Sequence, residues 1–247
     1  MYDGPFEIEK IRDSTIGSGG GTGIFANINM EKDEFVFDDF LLGGTFTHPS
    51  NVSVQGAGAN ITPLMSTVNA TTGTATTGRA NWFLRTLGYL PPTGEQAMNM
   101  TAKSVIIPVA SDATQRFSTY FMLGNSNGSP ADNSTFGFSI VDNVNSGNWV
   151  CWSRNQTGDA ETVNTTVSNA EARTLSVILD LHSGQSRLRF WIDEVLVGTI
   201  VNTGAANPIA TVPTNVTPVF GVLKSAGTTA RTALMDAIRY HYKDRLA

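Results

Sequence analysis

The residues of this chain that could do chemistry are a scatter of carboxylates, three histidines, one cysteine and four tryptophans. Two carboxylates on one face can serve as acid and nucleophile in glycoside hydrolysis. Glu31, Asp33 and Glu34 form the densest acidic group, but they flank a strand in a charged stretch and read as a solvated face. Asp38 and Asp39 are neighbours, so a strand turns them to opposite faces. Asp193-Glu194 has the character of a turn. His48, His182 and His241 have no nucleophile motif nearby and no metal-ligand spacing. Cys151 sits in GNWVCWS with no local histidine, which predicts a buried, inert thiol. Asp132-Asn133 and Asp142-Asn143 offer oxygen ligands of the kind calcium takes, yet the same pairs are ordinary turn residues. No catalytic, cofactor-binding or metal-ligating residue is therefore predicted. Trp82, Trp149, Trp152 and Trp191 remain as stacking platforms or core residues. Trp149 and Trp152 are three apart, so a straight strand points them to opposite faces. Trp191 shares a face with Arg187 and Arg189. It is the best candidate for a glycan or protein contact, with packing against a second sheet as the competing reading.

Strands must position these residues. In the stretch from Thr174 to Thr203, Leu175, Val177, Leu179 and Leu181 alternate with Ser176, Ile178, Asp180 and His182. Ser183-Gly184-Gln185-Ser186 supplies a turn, Leu188, Phe190 and Ile192 resume the alternation, and Asp193-Glu194 turns the chain again. A period of two over this length predicts three consecutive strands with one face in a core. Further strands are predicted at 34–40, 81–85, 102–109, 116–123, 135–142, 149–153, 161–167 and 217–224. Residues 45–80 read as irregular loops with short strands. The segment at 233–242 carries Leu234, Ile238 and Tyr242 at helical spacing but also alternates, and its aromatic and β-branched residues favour a strand. Many strands without a convincing helix indicate an all-β, two-sheet antiparallel sandwich.

The totals agree with that class. The chain has 247 residues, of which 40% are hydrophobic, enough for a sizeable core. Only 15% are charged, so Thr, Asn, Ser and Gly must cover the surface. The net charge of −5, with no basic cluster beyond Arg239, Lys243 and Arg245, argues against nucleic-acid binding. Met1 to Pro5 lacks the basic region and apolar run of a secretion signal, and no stretch is long enough to span a bilayer. The expectation is a chain that works in a cell or is assembled there and released in a particle. Residues 1–30 read as an N-terminal arm ending in a glycine tract, Gly17 to Gly23, that lacks the Lys-Ser/Thr of a phosphate loop. Residues 31–247 read as one sandwich domain.

An ordered set of motifs points further. FDDF comes first, then Gly88-Tyr89-Leu90 with Thr93-Gly94, SGNWVCWS, RFWIDEVLVGTI, prolines at 208, 213 and 218, and finally MDAIRYHYK. Over about residues 34–247 this resembles the concanavalin A-like (laminin-G-like) jelly-roll domains of tailed-bacteriophage virion proteins. The resemblance implies a jelly roll whose first and last strands pair, joining FDDF to MDAIRYHYK. Glu194 stands where such domains often carry Gly or Asn, which weakens the expectation of a tight turn there. The glycosidases of this architecture carry Glu-x-Asp-x-Glu on one strand, and that spacing is absent here. The implied function is a non-enzymatic virion structural protein, most readily a capsid decoration or cement subunit. The alternative is a tail-fibre or head-fibre module that binds a receptor or glycan. The expected location is the virion, assembled in the host cytoplasm. Expected partners are other copies of the chain, with a trimer favoured by the resemblance, the major capsid protein and a host surface glycan. Neither nucleic acid nor membrane is expected. The Thr/Asn/Ala-rich segment 57–80 is read as a packing surface for that self-association.

Overall fold

The computed structural model describes residues 33–38, 50–64, 67–84, 96–107, 111–112, 114–124, 135–141, 144–154, 160–182, 185–202 and 217–244. The proposed arm, the glycine tract, Glu31, Asp39, His48, Asp132-Asn133, Asp142-Asn143 and Arg245 lie outside them, as do the side chains of His182 and His241.

The described elements are antiparallel strands and one 3-10 turn, Val144–Gly147. A six-stranded sheet has the order β1 (Asp33–Asp38), β16 (Ala237–Asp244), β6 (Gln96–Val105), β11 (Arg173–His182), β12 (Gln185–Ile192) and β13 (Val195–Asn202). A seven-stranded sheet has the order β10 (Ala160–Ser168), β9 (Asn148–Arg154), β8 (Thr135–Ile140), β7 (Arg116–Gly124), β14 (Thr217–Ala226), β5 (Arg79–Leu84) and β2 (Ser50–Gln55). The expected jelly-roll sandwich is therefore present. So is the expected closure, with β1 antiparallel to β16 and Phe37 opposite Arg239.

The inner faces meet through large side chains. Leu175, Val177 and Leu179 from β11 and Leu188, Phe190 and Ile192 from β12 are buried in the main core. They face Phe117, Phe121, Leu123, Phe136, Phe138, Trp149, Phe220 and Trp82 of the other sheet. Cys151 is buried in the same core, and burial pushes its thiol far above the ordinary range, so it stays protonated.

The turn after Ile192 is tight despite Glu194. Asp193 and Glu194 both lie in the left-handed region, with φ of 49° and 69°, and Ile192 pairs directly with Val195. This is the two-residue hairpin turn whose twist matches the strands. Asp193 holds it in place: its carboxylate accepts from the Thr174 N–H at 2.8 Å and from Arg173 at 2.9 Å.

Three features depart from expectation. The first is a third sheet, with order β15 (Thr232–Met235), β4 (Thr67–Thr71) and β3 (Asn60–Leu64). Segment 57–80 supplies two of its strands and buries Ile61, Val68 and Ala70 in the chain's own core. Those side chains are thus not a free packing surface. The second is that the predicted strand at 233–242 is two strands in different sheets. The positions in the main core run Ala233 and Met235, then Ile238 and Tyr240, a phase slip of one residue across Asp236-Ala237. There the backbone N–H bonds Lys103 O and the chain changes sheets. The slip explains the helix-like spacing of Leu234 and Ile238. The third is that β6 starts at Gln96, six residues before the predicted strand.

The small sheet is tied to the sandwich through a buried lysine. Lys224, near the end of β14, is only 2% exposed. Its backbone N–H donates to Gly78 O and its ammonium to Gly73 O, so it grips both ends of the β4–β5 loop. Arg231 exchanges bonds with Thr72 beside it and pairs with Asp112 at 3.2 Å. Burial, and then the charge of Arg231, hold Lys224 below the usual lysine range.

Two outcomes are expected. Glu194→Gly should stabilise the fold by about 1 kcal/mol, because glycine occupies the left-handed region without the Cβ penalty. Thermal melts check this, and an unchanged or lower melting temperature would count against the turn geometry. For Lys224 the folded chain releases its proton at lower pH than the unfolded chain. The unfolded chain then binds more protons between the two pKa values, and stability rises with pH up to the ordinary lysine range. Denaturant titrations from pH 7 to about 10 should show that rise in the wild type and a flatter profile in Lys224→Met.

Candidate functional site

With both inner faces committed to the core, contacts with other molecules fall to the outward faces, the edges and the loops. The outward face of the seven-stranded sheet is built from cross-strand rows. Phe83, Val219 and Met122 align with Gly137 and Trp152. Asn81, Gly221 and Tyr120 align with Ser139 and Val150. Phe83, Tyr120, Met122, Trp152 and Val219 form a second apolar cluster, separate from the core, with Leu223 packed against it. The Tyr120 hydroxyl donates to Asn81 Oδ1.

Glycines make this floor possible. A Cβ at Gly221 would overlap Asn81 Oδ1 and sit 2.9 Å from the Tyr120 ring. A Cβ at Gly137 would run into the Phe121 carbonyl and the Met122 backbone. Both positions admit only hydrogen, which lets Tyr120 and Met122 lie close to the sheet. Trp152 is 5% exposed, and its indole N–H has no acceptor among the described residues. Tyr120, Met122, Val219 and Asn81 are fully buried and Phe83 and Trp152 nearly so, which makes this cluster a covered second core and not an open surface. No described side chain on it is a carboxylate. Such a cluster serves packing within the sandwich.

The outward face of the six-stranded sheet has the opposite character. One row runs Arg239, Thr101, Ser176 and Trp191; the next holds Asn99, Ile178 and Arg189; the third has Asp180 opposite Arg187. Thr101 and Ser176 share a hydrogen bond of 2.9 Å, and Arg189 donates to Asp180 at 2.9 Å. Trp191 therefore does share the Arg187/Arg189 face, and that face points away from the core. Asp180, engaged by Arg189, is the one carboxylate there whose side chain is described; the register also places Asp33 in its row.

The four tryptophans divide as their spacing implies. Trp149 faces the core and Trp152 the outward cluster. Trp82 is also core, whereas Trp191 is not. Sequence reasoning missed the company Trp152 keeps. The signal was the unbroken apolar run Tyr120-Phe121-Met122-Leu123: a strand apolar at every position is covered on both faces. The expected turn role of Asp193 is present, and it extends to the Arg173 and Thr174 contacts. Among the described residues no group of three His, Cys, Asp or Glu is placed to hold a metal ion.

No family model matches the sequence, and no curated protein matches it either. Solved structures do share its fold. An endo-1,3-beta-glucanase from Streptomyces sioyaensis is 15% identical with a TM-score of 0.53, over 88% of this chain and 91% of that one. The lectin UEA-II, solved in complex with galactose, is 10% identical with a TM-score of 0.53, over 87% of this chain and 100% of that one. Arcelin-5, a lectin-like defense protein from Phaseolus vulgaris, is 10% identical with a TM-score of 0.54 over the same shares. These likenesses establish a concanavalin A-like jelly roll, an architecture that hosts both enzymes and binding proteins.

The outward cluster makes its own prediction. Gly221→Ala should destabilise the fold by about 1–3 kcal/mol through overpacking, and should shift the near-ultraviolet dichroism of Tyr120. A melt indistinguishable from wild type would show that the Tyr120–Asn81 contact is not tight.

Proposed function

We propose that this chain is a non-enzymatic structural protein of a tailed-bacteriophage particle, most specifically a capsid decoration or cement subunit. The observation that carries the non-enzymatic reading is the chemistry of the outward faces. No described carboxylate stands on the outward seven-stranded face, and Asp180, the one on the six-stranded face whose side chain is described, is tied to Arg189. Acid and nucleophile for glycoside cleavage have no place there. The particle context is supported by the ordered motif resemblance and by a surface with few charges to desolvate on association. On this reading the subunit self-associates, with a trimer the expected assembly, and binds the major capsid protein. The segment 1–30 anchors it to neighbouring subunits.

A second reading is a receptor- or glycan-binding module on the same particle. The likeness of the fold to the lectin UEA-II, solved with galactose, and to the lectin-like arcelin-5 is what favours it.

Cosedimentation separates these readings. Purified full-length chain is added to particles assembled without it, and a 31–247 truncation is added in parallel. The decoration reading expects the full chain to pellet with the particles and the truncation to stay in solution. Pelleting of both would remove the anchoring role of residues 1–30. No pelleting of either, combined with binding on a glycan array, would overturn decoration in favour of glycan recognition. Release of reducing sugar from any polysaccharide, lost on one Asp or Glu substitution, would overturn both.

A further inference from the structure

The inner faces of three strands end in polar residues. On β14 the inward positions run Phe220, Val222 and then Lys224. On β4 they run Val68 and Ala70 and continue to Thr72. On β15 they run Met235 and Ala233 and continue to Arg231. β14 packs beside both β4 and β15. Lys224, Thr72 and Arg231 therefore gather at one end of the same interlayer space, where the apolar core stops. All three are closed off from solvent, Arg231 being the least buried at 9% exposed. They are also joined to one another: the Arg231 N–H donates to Thr72 Oγ1, and the Lys224 ammonium and the Thr72 hydroxyl share Gly73 O.

This gathering is rich in donors and short of acceptors. An ammonium has three N–H groups to place, and Gly73 O is the acceptor that Lys224 finds among the described residues. Arg231 Nη2 reaches Asp112, but its Nε–H is buried with no acceptor. On the same inner face, one row deeper on the neighbouring β7, the buried Thr119 hydroxyl has no partner either. Charge is unbalanced in the same sense. Lys224 has no carboxylate partner among the described residues, and the like charge of Arg231 acts on it. Asp112 does not balance both cations. One of its oxygens is held by Thr114 and Gln115 and the other by Arg231. Buried charges are kept when they are paired. Surplus donors, a surplus positive charge and no spare acceptor together describe a ligand that accepts hydrogen bonds and carries negative charge.

We propose that Lys224 and Arg231 bind a small inorganic anion of the size of chloride, held between the small sheet and the end of β14. The ammonium and the Arg231 Nε–H donate to it, and its charge offsets the cation that Asp112 leaves unbalanced. Burial of both cations excludes an anion with an organic body. The bound ion is structural: it fastens β14, β15 and the β4–β5 loop at the point where the small sheet meets the sandwich.

Thermal melts of the full chain in rising sodium chloride test the proposal, with ionic strength held constant by gluconate, which is too large for the site. The wild-type melting temperature should climb with chloride, because a ligand bound by the folded chain alone stabilises it. Lys224→Met should lose that climb. Arg231→Lys keeps the charge, removes the Nε–H, and serves as the second variant should Lys224→Met fail to fold. It should need about tenfold more chloride for the same rise, the loss expected for one hydrogen bond to a charged group. Circular dichroism confirms each fold. A wild type whose melting temperature does not respond to chloride overturns the proposal. A chloride response that both variants keep in full overturns this site as its origin.

Discussion

Phe138 joins the two large sheets. Its ring on β8 meets Phe190 of β12 edge-on across the sandwich at 5.4 Å, and meets Trp149 of the neighbouring strand edge-on at 6.4 Å. Edge-to-face aromatic pairs add about 0.5–1.5 kcal/mol each beyond the area they bury. Their larger effect here is geometric. They fix which side of each strand faces inward, and a one-residue slip would turn every inward side chain outward. Once Phe138 and Phe190 are in register, Phe121, Cys151 and Leu188 follow into the core. Tyr120, Trp152 and Arg189 must then face away from it.

The core leaves little room for buried charge, and the charges that are buried are tethered. Arg189 is held by Asp180, and Arg231 by Asp112. Asp112 is itself held below the usual carboxylate range by the backbone N–H groups of Thr114 and Gln115 and by the Thr114 hydroxyl. Lys224 reaches a backbone carbonyl instead of an acid. These groups fasten loops and strand ends, and none of them faces the apolar outward cluster.

Much of this was legible in the sequence where the period of two was clean. The β11–β13 meander could be read from Leu175, Val177, Leu179, Leu188 and Phe190, and the β1–β16 pairing from the family resemblance. The parts that escaped had physical reasons. β2, β3 and β4 set single aliphatic residues among Ser, Asn and Thr, which carries little hydrophobic contrast, so only the fold reveals that Val68 and Ala70 are core. The sheet switch at Asp236 breaks the period by one residue and mimics a helix. The hairpin turn forms with Glu194 in a left-handed conformation, because Asp193 anchors it to Arg173 and Thr174. The Trp152 cluster was hidden because its members come from β5, β7, β9 and β14, which adjoin only once the sheet has formed.

On the proposed function this sandwich is a built-in part of a particle. Imaging purified particles at a resolution that separates β-strands tests this most directly. The account predicts density for the two large sheets on the outer surface of the capsid, at repeated positions that contact the major capsid protein. Complete particles whose capsid carries no such density would contradict it.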